Sequence, residues 1–283
     1  MPEVREWLAE LRETAQPSPK ITAVLDLIAS QPRLASYAPV AEVAHRAQVN
    51  TATVVRAAQA LGFKGWLAFR AEVRSRYLAS LTAPEVSAEH SMKVERAAVA
   101  ALRQDVANLA FLARSADVDL IDEFAAAIAG ADQTMVVAAG SYTALAAPLA
   151  HLATAMGYPV SMETRGGAHL ANALGLMSGR SCLVAVSFWR LHADTYRAAR
   201  AARKRGAAVC VITDSATSPL TELASHVLVV SSESASWFPS LTAGVSAVNA
   251  ILTALEEQGG QQVRDRIAEM DEMWHELDLY HRP

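Results

Sequence analysis

Cysteine is scarce in this chain, with two in 283 residues, Cys182 and Cys210. Both fall in apolar runs that read as central strands, so buried, reduced core thiols are expected. The sequence implies neither a disulfide framework nor a zinc site, and no metal or cofactor. Aromatic residues make up 6% and charged residues 19%, but a hydrophobic share of 52% excludes a disordered chain. Apolar runs of spanning length are also missing. The most membrane-like stretch, Met135 to Val160, is interrupted by Gly140, Ser141, Pro148 and His151. It reads as a buried strand and an alanine-rich helix. The opening MPEVREWLAELRE is amphipathic and charged, with no apolar signal core, so no membrane partner and a cytoplasmic location are expected.

No single sign of charge dominates, since the net charge is −4. The balance is uneven along the chain. Residues 1–80 hold 10 Lys/Arg against 7 Asp/Glu, and residues 81–283 hold 15 against 22. Between Val43 and Ser80, Arg46, Arg56, Lys64, Arg70, Arg74 and Arg76 face only Glu72. Concentrated positive charge on a small module suits a polyphosphate partner, although a solvated basic face shows the same counts. The length allows two domains, each with its own core.

Ser18-Pro19 predicts a capped helix carrying Ile21, Val24, Leu25 and Ile28, with Pro32 just past its end. A second helix is predicted over Val40–Ala47. Gln48-Val49-Asn50 makes a tight turn, and Asn50 caps a third helix, Thr51–Leu61, that stops at Gly62. On this helix Val54, Ala58 and Leu61 form the core stripe. Ala52, Thr53, Arg56 and Ala60 present a small polar face that fits a DNA major groove. Arg56 reaches a guanine or a phosphate, the first amides of the helix at Thr51 suit a phosphate, and Lys64 touches the backbone. The predicted DNA contacts are Asn50, Thr51, Thr53, Arg56 and Lys64. Trp66, Phe69, Val73 and Tyr77 form the buried stripe of a fourth helix. A plain protein-interaction bundle would share this periodicity. The short turn and the Thr/Arg face favour double-stranded DNA as the partner.

Residues 81–91 have linker composition, and a connecting helix is predicted over Lys93–Arg114. From Asp117 helices and strands alternate, with strands at Thr134–Ala139, Pro159–Glu163, Cys182–Ser187, Ala208–Thr213 and His226–Val230. Helices are predicted at Leu120–Ile128, Ser141–Met156, Ala168–Met177, Ala193–Lys204, Pro219–Ala224, Trp237–Glu256 and Gln261–Leu277. Strands lacking polar alternation, separated by helices, predict a five-stranded parallel sheet covered on both faces. The fold class is therefore an all-α helix-turn-helix bundle at 1–80, a linker and connecting helix at 81–116, and an α/β three-layer domain at 117–283. Ligands in such sheets sit beyond the C-terminal strand ends. That places Gly140, Ser141, Ser187, Arg190, His192 and Ser215 as candidate effector-binding residues, although small hydroxylic residues there are also ordinary helix caps.

The run VAEVAHRAQVNTATVVRAAQALGFKGWLAFRAEV resembles the helix-turn-helix of the RpiR/MurR-type regulators, with Thr53-Val54-Val55-Arg56 and Leu61-Gly62-Phe63 in register. Asn50 stands where that family usually has a capping serine, and Ala57 where it often has an aromatic residue. The segment RGAAVCVITDSATSPLTELASHVLVV is similar to part of the SIS domain, a sugar-isomerase fold that binds phosphosugars. The resemblance implies a sequence-specific regulator that senses a small anionic metabolite, phosphosugars included. Departures bear on that site. The first SIS loop, G-x-G-x-S in the family, reads Ala138-Ala139-Gly140-Ser141-Tyr142 here. The third-strand loop, S-x-S-G-x-T in the family, reads Ser187-Phe188-Trp189-Arg190-Leu191-His192, where Trp189 or Leu191 would crowd a phosphate and Arg190 would replace lost donors. Two other readings stay open. One is a phosphosugar isomerase, with His169, His192, Glu163 or Glu222 as base. The other is a regulator whose second domain only oligomerises. A homodimer or homotetramer is expected, because a single helix-turn-helix buries little DNA surface, with Lys93–Arg114 and Trp237–Glu256 as contact surfaces.

Overall fold

Three apolar cores organise the described residues, one among the N-terminal helices and one on each face of a parallel sheet. A computed structural model describes residues 4–91 and 96–280. Residues 4–91 with 214–218 form one unit, and residues 96–213 with 219–280 form the other.

The first unit is helical: α1 (Val4–Ala15), α2 (Pro19–Ser30), α3 (Pro32–Tyr37), α4 (Val40–Arg46), α5 (Thr51–Ala60), α6 (Trp66–Ser80) and α7 (Ala83–Ser91). Its core gathers Leu8, Val24, Leu25, Ile28, Val43, Val54, Ala58, Phe69 and Val73, the apolar positions that recur at helical spacing. Ser18 has the extended backbone of a cap, but its side chain makes no cap bond. Its carbonyl instead accepts from the Thr22 N–H at 2.9 Å. Pro32 does more than end α2, because it opens α3 at the first helical position.

The predicted linker at 81–91 is instead the helix α7. The Thr82 N–H and hydroxyl both donate to Glu85, at 2.7 and 2.6 Å, and hold its carboxyl below the usual range. The predicted start of the connecting helix at Lys93 lies outside the described residues.

Two residues counted as part of a charged surface are buried in this unit. Glu72 and Arg76 are each 2% exposed, with Arg76 Nε donating to Glu72 Oε1 at 2.9 Å. Glu72 also accepts from the Ser215 hydroxyl (2.8 Å), the Ala216 N–H (2.8 Å) and the Thr217 hydroxyl (2.5 Å). Arg76 Nη2 donates to the Thr217 carbonyl at 2.7 Å, and the guanidinium lies 4.4 Å from the centre of the Trp7 ring. This satisfies most of a charge that burial otherwise penalises.

The second unit runs α8 (Ala97–Ser115), α9 (Val118–Ala129), β1 (Gln133–Ala138), α10 (Thr143–Ala155), β2 (Val160–Glu163), α11 (Gly167–Gly175), β3 (Ser181–Ser187), α12 (Ala193–Lys204), β4 (Ala208–Thr213), β5 (His226–Val229) and α13 (Thr242–Glu276). The five strands are parallel in the order β2-β1-β3-β4-β5. Alternate residues of the central strands enter different cores. Val136, Val184 and Ile212 join Phe124, Leu149 and Ile251, while Val137, Ala185 and Val211 join Leu174, Ala198 and Leu220. Cys182 and Cys210 are buried and form no disulfide; the Cys182 thiol donates to Cys210 Sγ at 3.8 Å, and that bond together with burial pushes the Cys210 thiol up.

Three helix expectations change here. Pro219–Ala224 contracts to one 3-10 turn, Thr221–Leu223. The helix expected from Trp237 starts at Thr242, after Pro239, and leaves Trp237 and Phe238 exposed. The two closing helices join across a kink at Gly260, whose φ of 54° and ψ of −130° suit glycine alone.

Candidate nucleic-acid interface and effector pocket

The turn between α4 and α5 is made by Ala47–Asn50, with Gln48 at φ 54°. Asn50 is the cap that the sequence predicts. Its Oδ1 accepts from the Thr53 N–H at 2.9 Å and from the Thr53 hydroxyl at 2.9 Å. Thr53 is therefore buried rather than part of an open groove-facing surface. Arg56 is exposed and lies along the start of α5, with Nε donating to the Ala52 carbonyl (3.3 Å) and Nη2 to Thr53 Oγ1 (3.4 Å). Asn50, Thr51 and Lys64 are exposed. The structure thus joins Asn50, Thr53 and Arg56 in one hydrogen-bonded chain.

The remaining basic residues are mostly engaged. Arg46 pairs with Glu42 at 3.1 Å, Arg74 donates to the Ser36 carbonyl and covers the Tyr37 ring, and Arg76 is buried. The count of basic residues therefore overstates the charge offered to a phosphate backbone.

In the second unit the strand order reverses between β1 and β3, where open parallel sheets form their ligand crevice. Gly140 and Ser141 follow β1 and are exposed. Gly140 has φ 58°, and Gly140–Tyr142 form a 3-10 turn leading into α10. Tyr142 is buried. Its hydroxyl donates to the Phe188 carbonyl at 2.6 Å, and its ring meets Phe188 and His192 edge-on at 5.6 and 5.9 Å. The loop after β3 is thereby pinned to the loop after β1.

Ser187 is 4% exposed, and its hydroxyl donates to the Arg190 carbonyl at 3.4 Å. Trp189 is also buried, at φ 47°, a left-handed conformation costly for so bulky a residue. Arg190 and His192 are exposed. Ser215 belongs to the first unit, where its hydroxyl is spent on Glu72.

A cavity of about 300 Å³ opens beside Ser141. Its other walls come from Ala101 and Asp105 of α8, Ser234, Ala235, residues 238–241, and Thr242 at the start of α13. Of the candidate effector residues, Ser141 alone lines it. The sequence reading missed Asp105, Ser234, Ser240 and Thr242. Asp105 Oδ1 accepts from the Ser240 hydroxyl at 2.5 Å, and Oδ2 from the Thr242 hydroxyl at 2.9 Å. One helical turn further on, Asn108 is buried and holds the same segment by accepting from the Ser231 hydroxyl and donating to the Glu233 carbonyl, both at 2.8 Å.

Of the candidate bases, Glu163 at the end of β2 is 5% exposed and bound by Arg165 at 2.8 Å, which holds its carboxyl below the usual range. The remaining three candidates are His169 in α11, His192 at the cap of α12 and Glu222 in the 3-10 turn.

Comparison with known proteins agrees with this architecture. Residues 10–80 match the helix-turn-helix domain of the rpiR family, and residues 127–256 match the SIS domain. An uncharacterized HTH-type transcriptional regulator of Haemophilus influenzae is 25% identical over 217 residues, covering 73% of each chain. The sugar isomerase domain of the RpiR transcription factor from Sphaerobacter thermophilus is 27% identical with a TM-score of 0.60, covering 63% of this chain and 99% of that one. The Vibrio vulnificus NanR protein complexed with ManNAc-6P shares the fold over 95% of this chain and 98% of its own, with a TM-score of 0.58 and 22% identity. No helix among the described residues is long and apolar enough to cross a membrane. With an rpiR-type helix-turn-helix followed by a SIS domain on one chain, this protein belongs to the RpiR family of DNA-binding transcription regulators.

Proposed function

We propose that the SIS domain senses a small anionic metabolite, of the phosphosugar class, and that this protein works as a cytoplasmic regulator without catalytic turnover. The cavity beside Ser141, at the C-terminal end of β1 where the strand order reverses, carries this reading. Backbone amides at the Gly140–Tyr142 turn favour an anion, and Arg190, exposed outside the cavity wall on the loop after β3 that Tyr142 ties to this turn, supplies a guanidinium of the complementary sign, with His192 two residues further on. NanR, which shares the fold, is complexed with ManNAc-6P, a sugar phosphate. The regulatory reading is preferred to an isomerase because the buried Glu163 is already committed to Arg165 rather than poised as a base.

On the DNA side, Arg56 reads a base or phosphate, Lys64 and the first α5 amides hold the backbone, and Asn50 with Thr53 fixes Arg56. In this reading the DNA-binding domain spans 1–80, the connector 81–116 and the sensing domain 117–283. Val99, Leu102 and Val106 on α8, with Trp237 and Phe238, are exposed apolar residues suited to pairing in a homodimer or homotetramer.

The test is operator binding by the full chain with and without a panel of sugar phosphates. Arg190→Ala should weaken the response to the effector and leave effector-free DNA binding nearly intact. An Arg190→Ala protein that responds as the wild type does removes Arg190 from the site. A wild-type protein indifferent to the whole panel removes the sensing role.

A further inference from the structure

We infer that the exposed face of α12 is a second DNA-binding surface, one that holds the phosphates of a duplex without reading its sequence and adds to the contacts made by α5.

Five of the 15 Lys/Arg in residues 81–283 fall between 197 and 205, at Arg197, Arg200, Arg203, Lys204 and Arg205, with no Asp or Glu in that span. Their surroundings in the sequence are acidic, since the same 81–283 holds 22 Asp/Glu. Burial divides α12 sharply. Thr195, Ala198, Ala199 and Ala202 are buried, and all five basic residues are exposed. Arg197, Arg200 and Lys204 fall at i, i+3 and i+7 and so share one stripe. That stripe is ~10 Å long, the rise over which one strand of a duplex carries about three phosphates.

Simpler causes account for part of this charge and not for the whole. The helix dipole favours cations in the last turn, which covers Arg203 and Lys204. Its effect fades within that turn, and Arg197 and Arg200 lie before it. Asp194 pairs with Arg197 at 3.1 Å. Arg203 and Arg205 donate to the carbonyls of Leu223 (2.9 Å) and Ala201 (3.4 Å), which are neutral and leave the charge in place. Arg200 and Lys204 meet no carboxylate among the described residues. A surface kept soluble by charge mixes both signs rather than gathering one.

The occupant follows from what the rest of the chain holds. The helix-turn-helix brings a duplex to this protein, yet Arg46, Arg74 and Arg76 of that unit are engaged and the chain carries a net charge of −4. Sequence-independent affinity for DNA grows with the number of phosphates neutralised. The face of α12 supplies basic residues that the first unit has committed elsewhere. Four of its five are arginine, whose planar fork matches phosphate oxygens.

The test measures binding of the full chain to a random-sequence duplex over a range of salt. Wild type is compared with Arg200→Ala plus Lys204→Ala, and with Arg114→Ala plus Arg264→Ala, which lowers the net charge equally from exposed positions on α8 and α13. The α12 pair should bind the duplex several-fold more weakly, and its plot of log affinity against log salt should be shallower by about 2. The control pair should match the wild type, and all thermal midpoints should agree. Arg200→Glu with Lys204→Glu should weaken binding further. The genomic sites enriched by the α12 pair should be those of the wild type, because phosphate contacts carry no sequence information. An unchanged salt slope overturns the inference, and one accompanied by a changed sedimentation coefficient assigns the face to an acidic surface of a second copy. Equal flattening in the control pair overturns it in favour of net charge alone. A changed set of enriched sites overturns the sequence-independent role.

Discussion

Arg56 Nη2 donates to Thr53 Oγ1 at 3.4 Å, and the Thr53 hydroxyl in turn donates to Asn50 Oδ1 at 2.9 Å. The helix cap and the exposed Arg56 are therefore mechanically linked. Thr53→Val keeps the shape and removes the link. Operator affinity should fall several-fold through looser placement of Arg56, with loss of the small stabilisation that one hydrogen bond contributes, about 1 kcal/mol. Asn50→Ala also removes the cap bond and should cost about 1 kcal/mol in a urea titration. Thr53→Val affinity equal to the wild type would show that Arg56 is placed by the DNA and not by Thr53.

Glu72 and Arg76 give a larger stability effect. Glu72→Ala leaves the Arg76 charge buried without its carboxylate and should destabilise by about 3–5 kcal/mol. The double replacement Glu72→Met with Arg76→Met removes both charges and should cost much less than Glu72→Ala alone. Denaturant midpoints of the two variants and the wild type decide this. A double replacement as damaging as the single one would mean that the bonds to residues 215–217 matter more than the charge pairing.

Tyr142→Phe deletes the bond to the Phe188 carbonyl and leaves a buried acceptor unsatisfied, a cost of about 1–3 kcal/mol. Because that bond ties the loops after β1 and β3 together, effector affinity should fall as well. Unchanged effector affinity with the expected stability loss would separate the pocket from the loop after β3.

The Glu163–Arg165 pair predicts a pH dependence. Arg165 holds the Glu163 carboxyl below its ordinary value of 4.5. A carboxyl depressed in the folded state stabilises the fold above the ordinary carboxylate range, and that contribution is lost as pH falls through the lowered folded value. Arg165→Ala removes it. The thermal midpoints of wild type and variant should differ at neutral pH and converge on acidification. A gap that widens in acid would contradict the assignment.

What could be read from the sequence depended on how local the cause was. Asn50 caps α5 through a residue three positions away, and the central strands are uninterrupted apolar runs, so both are found as predicted. The capping pair Thr82 and Glu85 was equally local but hidden by linker-like composition. Thr53 shares a helical-wheel face with Arg56, yet the Asn50 side chain folds over it. Arg76 counts as surface charge until it meets Thr217, 141 positions away. The pocket wall is non-local in the same way, since Asp105 and Ser240 are 135 positions apart. The strand-end rule finds Ser141 and has no means of finding the residues opposite it.

DNA reading through α5 is the central claim, and selection of genomic fragments by the full chain at fixed salt tests it most directly. Wild type should enrich a small set of sites with two-fold repeats, the half-sites about one helical turn apart. Arg56→Ala, altered at an exposed position, should fold normally and lose about 1–3 kcal/mol per half-site, enough to abolish the enrichment. Identical enriched sites for wild type and Arg56→Ala would contradict the account.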